Sequence, residues 1–116
     1  MPRVEKYEFG SIVIDGKEYR RDVILTPDGV EPEWWRREGH RLRLEDIRDV
    51  LERVRPQVLI VGTGYYGMVK VEDEVRDFLR ERGIELVKEK TGEAVRRYNE
   101  LSGRGVRVVA ALHLTC

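Results

Sequence analysis

Apolar residues alternate with polar ones early in the chain and recur at helical spacing from residue 44 onward. In "SIVIDGKEYRRDVIL" (11–25) two alternating runs flank Asp15-Gly16. That pair supplies the positive φ angles of a tight turn, so the stretch predicts a β-hairpin. Ile12 and Ile14 share a face of the first arm. On the second arm Tyr19, Arg21 and Val23 share one face, and Asp22 and Ile24 the other. "TPDGVEPE" (26–33) then reads as a turn-rich connection.

"LEDIRDVLERVRP" (44–56) predicts an amphipathic helix, because Ile47, Val50, Leu51 and Val54 fall on one stripe and Pro56 stops it. "QVLIVG" (57–62) is a short continuous apolar run, the pattern of a strand covered on both faces. "VEDEVRDFLRERG" (71–83) predicts a second helix with Val71, Val75, Phe78 and Leu79 inward and Gly83 at a left-handed cap. "IELV" (84–87) predicts a strand. Thr91 is expected to cap a third helix carrying Ala94, Val95, Tyr98 and Leu101, which Gly103 ends. "VRVVAALHL" (106–114) predicts the final strand. Helices alternating with strands from residue 44 imply a mainly parallel sheet, with the hairpin adding a second β layer or extending it.

Composition narrows the function classes. A chain of 116 residues is expected to form one domain, 1–116. Its 22 basic and 22 acidic side chains cancel, which removes the electrostatic reason to expect nucleic acid or an anionic membrane. "WWRREGHRLR" (34–43) is the best local basic face and reads as a solvated rim. With 17 Arg against 5 Lys, one Asn and one Gln, the composition resembles that of a thermophile's charged surface. The single cysteine, Cys116, fits a reducing compartment. "MPRVEKYEFG" has no signal-peptide core, and no apolar run is long enough to span a bilayer. The expected location is cytoplasmic.

The chemistry-bearing motif is Gly62-Thr63-Gly64-Tyr65-Tyr66-Gly67, which matches the G-x-G-x-x-G dinucleotide fingerprint. A buried strand precedes it, a helix follows, and Glu85 and Glu89 lie where a ribose partner would. Three features oppose a dinucleotide. "MVKV" (68–71) alternates as an extended segment, so the helix starts too far from the glycines to meet a pyrophosphate. Tyr65 and Tyr66 crowd the place where backbone must approach phosphate. The 49 residues after Gly67 leave no room for a second βαβ half. The glycines are therefore expected to turn the chain sharply at the carboxyl edge of the sheet. A small anion or ligand at that turn is the alternative, with Gly62, Thr63, Gly64, Tyr65, Tyr66, Trp35 and His40 as lining residues.

Adjacent Trp34 and Trp35 should point to opposite faces, one inward and one to the surface. His113 and Cys116, three apart on a strand, should face opposite sides. With His40 as the only other histidine, no zinc site is expected. Glu72-Asp73-Glu74 and Glu45-Asp46 sit at helix starts, where the helix dipole accounts for them. No catalytic constellation is recognised, and no enzyme activity is expected.

"GSIVIDGKEYRRDVIL", "WWRREGHRL", "RPQVLIVGTG", "MVKV", "ERGIELV", "TGEAVRRYNEL" and "GVRVVAALHLTC" occur in the order and spacing of a known family. Together they resemble the adipogenesis-associated Mth domain family, a distant relative of the mitochondrial complex I assembly factor three. "AVRRYNEL" and the closing His113 to Cys116 are the most specific segments. The resemblance implies an α/β fold in a single three-layer domain. A central mixed sheet carries helices on one face and the N-terminal β-hairpin plus a helix on the other. It implies no established activity and no required cofactor. Gly62, Gly64 and the Val69-Lys70-Val71 step match the family's pattern, whereas Gly67 lies outside it. A protein-binding or assembly module is thus expected, with a protein partner or a weak homodimer. A small-molecule or anion-binding protein or enzyme, with its site at the Gly62-Gly64 turn, is the alternative.

Overall fold

A computed structural model describes all residues, Met1–Cys116. Three antiparallel strands come first: β1 (Val4–Glu8), β2 (Ser11–Ile14) and β3 (Lys17–Tyr19). Asp15 and Gly16 take φ of 48° and 81°, as the hairpin turn between β2 and β3 requires. β1 is absent from the sequence expectation for a physical reason. The register slips between Val4 and Lys6, so a bulge breaks the two-residue period. Val4 and Tyr7, three apart, then pair with Ile14 and Ile12 and face the same way.

The second hairpin arm is shorter than expected. It ends at Tyr19, and Arg20-Arg21-Asp22 carries the chain into another sheet. There β4 (Val23–Thr26) turns at Pro27-Asp28 into β5 (Gly29–Glu31). "TPDGVEPE" is therefore itself part of a hairpin. A short strand β6 (Arg41–Leu42) and a 3₁₀ turn (Leu44–Asp46) lead to α1 (Arg48–Val54), which keeps Val50, Leu51 and Val54 buried. β7 (Val58–Gly62) is buried throughout. β8 (Lys70–Val71) pairs in parallel with β6, so "MVKV" does run into a strand. After it come α2 (Asp73–Glu81), β9 (Glu85–Glu89), α3 (Thr91–Gly103) and β10 (Val108–Leu112).

The central sheet has the order β5-β4-β10-β7-β9, with β10, β7 and β9 parallel and β4 and β5 antiparallel to their neighbours. It is the mixed sheet of a three-layer domain. One face, through Ile24, Leu59, Val61, Val109 and Ala111, packs on α1, α2 and the 44–47 turn. The other, through Val23, Leu25, Val58, Ile60, Ala110 and Leu112, packs on α3 and the β1–β3 sheet. Strand alternation sends neighbours to opposite faces, so one apolar run feeds two cores.

Two helices end alike. Ile84 N–H donates to Leu79 C=O and Gly83 N–H to Arg80 C=O. Val106 and Gly105 repeat the pattern on Leu101 and Ser102. Both are Schellman caps with a left-handed glycine. The second of these is Gly105, at φ 81°, and not Gly103, which is still helical. Asn99 replaces a strand neighbour for β1: its amide donates to Val4 C=O and accepts from Val4 N–H. Tyr98 is fully buried and donates to Pro2 C=O at 2.6 Å.

Candidate functional site

β7 and β10 end side by side, with Gly62 opposite Leu112. Beyond that point the two segments keep pairing irregularly. His113 N–H donates to Gly62 C=O, Tyr65 N–H to Thr115 C=O at 2.6 Å, and Met68 N–H to Cys116 C=O at 3.1 Å. Gly64 N–H donates to the Thr91 hydroxyl at 2.8 Å, and Gly64 C=O accepts from Thr91 N–H. Thr63 N–H and its hydroxyl both donate to Glu89 C=O. The backbone N–H groups of Thr63, Gly64, Tyr65 and Gly67, which would face a phosphate in the fingerprint, are thus engaged by the chain itself.

The glycines are needed for this packing. A Cβ at Gly62 would lie 2.9 Å from both the Leu112 side chain and the Thr91 hydroxyl. Gly64 has φ 108°, and a Cβ there would lie 2.6 Å from the Cys116 carbonyl oxygen and 2.9 Å from the His113 ring. Thr91 differs from its expected role as a helix cap. Lys90 holds the cap position, and the Thr91 hydroxyl donates to His113 C=O at 2.6 Å while accepting from Gly64.

β4 runs antiparallel to β10, with Val23 opposite Leu112, so Asp22 lands beside His113. Asp22 Oδ2 lies 2.7 Å from His113 Nδ1 and accepts from Arg36 Nη1 at 2.8 Å; Oδ1 accepts from Leu114 N–H. Burial by itself would raise the Asp22 pKa. The hydrogen bonds from His113 and Leu114, with the positive charge and guanidinium donors nearby, outweigh that and hold the carboxyl below its usual range. Arg36 lies in the stretch expected to form a solvated rim, yet its side chain is only 3% exposed. It also donates to Gly39 C=O and stacks 4.7 Å from the Trp34 ring. The only local mark of this knot is three consecutive charged residues, Arg20-Arg21-Asp22, directly before the apolar Val23-Ile24-Leu25.

The sequence-derived lining residues separate. Gly62 and Thr63 are enclosed, whereas Tyr65 and Tyr66 turn outward. Their rings stand 5.0 Å apart, and Phe9 approaches them at 5.8 and 6.1 Å. Phe9, Tyr65, Tyr66 and the nearby Met68 are each about half exposed or more, up to 62% for Tyr66. Behind this ledge Tyr7 donates to Leu114 C=O, and burial pushes its phenol up to about 12. Trp35 lies elsewhere, 79% exposed, while Trp34 packs inward and donates from its indole to Asp46 C=O. A cavity of about 250 Å³ beside Trp35 is lined by Arg20, Arg21, Glu33, Trp34, His113 and Thr115, among others.

His113 and Cys116 lie past the end of β10, so strand alternation does not govern them. Cys116 Sγ comes within 3.7 Å of His40 Nε2, and the His40 ring lies 6.0 Å from that of His113. No three His, Cys, Asp or Glu side chains are placed to share a metal ion.

This geometry defines a small three-layer α/β domain whose glycine turn holds a neighbouring strand's continuation. The chain belongs to the family of proteins of unknown function DUF498/DUF598, whose family model matches residues 4–113. It resembles an outer membrane protein from Bartonella henselae, with 28% identity and a TM-score of 0.85 over 99% of this chain and 96% of that one. The conserved hypothetical protein PH1505 from Pyrococcus horikoshii is 32% identical, with a TM-score of 0.79 over 98% and 99%. A Mth938-like domain from Bordetella pertussis is 26% identical, with a TM-score of 0.74 over 97% and 85%. The resemblance to the Mth domain family is thereby borne out. No helix is long and apolar enough to cross a membrane.

Proposed function

We propose that this chain is a protein-binding module that docks a partner on the aromatic ledge of Phe9, Tyr65, Tyr66 and Met68. One observation carries the reading: the exposed rings of Phe9, Tyr65 and Tyr66 come from two separate segments and meet in one place, with exposed Met68 two residues further along the chain. Aromatic rings that stay exposed while a core nearby is fully packed are the anchors that protein interfaces use. The partner surface that fits is an apolar groove with an acidic rim, since the Lys90 side chain packs against Gly67 at the margin of the ledge. A balanced net charge leaves the contact to apolar burial rather than long-range steering. The single cysteine fits a reducing cytoplasm as the place of action.

The test compares the wild type with a Phe9→Ser, Tyr66→Ser variant. Affinity capture is followed by light scattering of any isolated complex. The expected result is a discrete complex of defined stoichiometry that forms with the wild type and not with the variant. A complex that survives both substitutions, or a ledge-dependent dimer of this chain in place of a foreign partner, would overturn the reading.

A further inference from the structure

We infer that the partner presents a proline-rich segment in the polyproline II conformation, an inference that rests on the reading of the ledge as a docking surface. The arrangement of the rings is the first argument. Phe9, Tyr65 and Tyr66 form a triangle of centroids 5.0 to 6.1 Å apart, with planes inclined to one another by 54° to 73°. Rings so inclined meet edge to face and leave notches between them rather than one flat platform. A pyrrolidine ring is compact and rigid, and a chain of them has its φ already fixed, so it enters such notches at little cost in entropy. Hydrogen bonding is the second argument. The hydroxyls of Tyr7 and Tyr98 are used within the chain, on Leu114 C=O and Pro2 C=O. Those of Tyr65 and Tyr66 make no hydrogen bond to the chain, and both rings are about half exposed or more. The ledge therefore carries two O–H donors for a ligand. Proline has a carbonyl and no N–H, and the polyproline II backbone makes no internal hydrogen bonds, so such a segment offers acceptors that need donors.

Other occupants fit the same surface less well. An added β-strand needs a run of free backbone groups. Here Gly10, Tyr65, Gly67 and Met68 N–H already donate to Leu114, Thr115, Gly64 and Cys116 C=O. An amphipathic helix bonds its carbonyls within itself and would leave both phenols unused. A single strand of nucleic acid also stacks on aromatic rings, but it needs a basic groove along its phosphates. The 22 basic and 22 acidic side chains supply no excess for one. A second copy of this chain does not supply the segment either, because its prolines stand apart at 2, 27, 32 and 56. The segment belongs to another protein, and Lys90 beside Gly67 favours one flanked by acidic residues.

The experiment titrates the isotope-labelled full chain with decaproline carrying a Glu-Glu tail, and follows amide shifts by NMR. A Gly-Ser peptide of the same length and tail, and oligothymidylate, serve as comparisons. The decaproline peptide should shift the amides of residues 9 and 65–68 saturably, and the comparisons should not. A Tyr65→Phe, Tyr66→Phe variant keeps both rings and removes both donors. It should bind about fivefold more weakly or worse, the loss expected for hydrogen bonds of ordinary strength. Phe9→Ser with Tyr66→Ser should abolish the response. No saturable shift with decaproline, shifts that cluster away from the ledge, equal binding of the Gly-Ser peptide or of oligothymidylate, or a double-phenylalanine variant that titrates like the wild type would each overturn the inference. A partner captured through the ledge by the wild type, together with silence toward decaproline, would overturn this inference and leave the docking reading standing.

Discussion

Two adjacent stretches of the same turn contrast sharply. Thr63 and Gly64 are enclosed by Glu89, Thr91, His113 and Cys116, and their backbone groups are bonded to Glu89, Val69, Thr91 and Gly67. Tyr65 and Tyr66, the next two residues, put their rings in solvent. Enclosure makes the first pair intolerant of change, because every neighbouring atom is already committed. Exposure makes the second pair dispensable for folding and free for recognition. A motif that resembles a ligand address is thus half a structural clamp and half a surface.

Substitutions can break or sharpen that contrast. Gly64→Ala should have the largest effect, costing about 4 kcal/mol, because it combines a left-handed φ with a Cβ driven into the Cys116 carbonyl. Chemical denaturation would measure it. Asp22→Asn should follow at about 3 kcal/mol, since it leaves the buried Arg36 without a counter-charge. It should also flatten the acid limb of the stability profile. Folding lowers the Asp22 pKa, so its contribution is full above the ordinary value of 3.8 and is lost as pH falls toward the lowered one. Urea midpoints of both proteins between neutral and acidic pH would show the difference.

Thr91→Val keeps the volume but strands Gly64 N–H and His113 C=O, for a cost of about 2 kcal/mol. Tyr98→Phe should cost about 1 kcal/mol at neutral pH through the lost bond to Pro2. Burial pushes the Tyr98 phenol from 10.0 to about 12, so folding favours its protonated form. That stability is present below pH 10 and lost as pH rises through about 12, and the phenylalanine variant should lack this alkaline loss. Tyr66→Ser should be the mildest, with a melting temperature close to the wild type's, which would confirm that the ledge is not a folding requirement.

The fold was legible where one period held for long enough. Ile47, Val50, Leu51 and Val54 marked α1, and the apolar run 58–62 marked β7 as a strand covered on both sides. It was hidden where a local irregularity reset the period. The bulge after Val4 concealed β1, and Arg20-Arg21-Asp22 moved the chain between sheets within what reads as one hairpin arm. The polar knot was less legible still. Asp22, Arg36 and His113 are 14 and 77 positions apart in sequence along their bonds, and only the antiparallel seat of β4 on β10 brings them together. Composition marks Arg36 as a surface residue, because burial of a guanidinium depends on a partner that local pattern cannot name.

The central place of β10 bears on the order of assembly. It follows every other strand in sequence, yet in the sheet it stands between β4 and β7. Before it arrives, the β4–β5 hairpin and the β7–β9 pair have no common edge, and each leaves one side unpaired. Joining them needs contacts across 50 residues to β7 and more than 80 to β4, the kind of distant closure that slows folding. The same insertion seats His113 to Cys116 in the glycine turn. The carboxyl edge therefore cannot take its shape until β10 is seated, and until then β4 and β7 each keep an open edge.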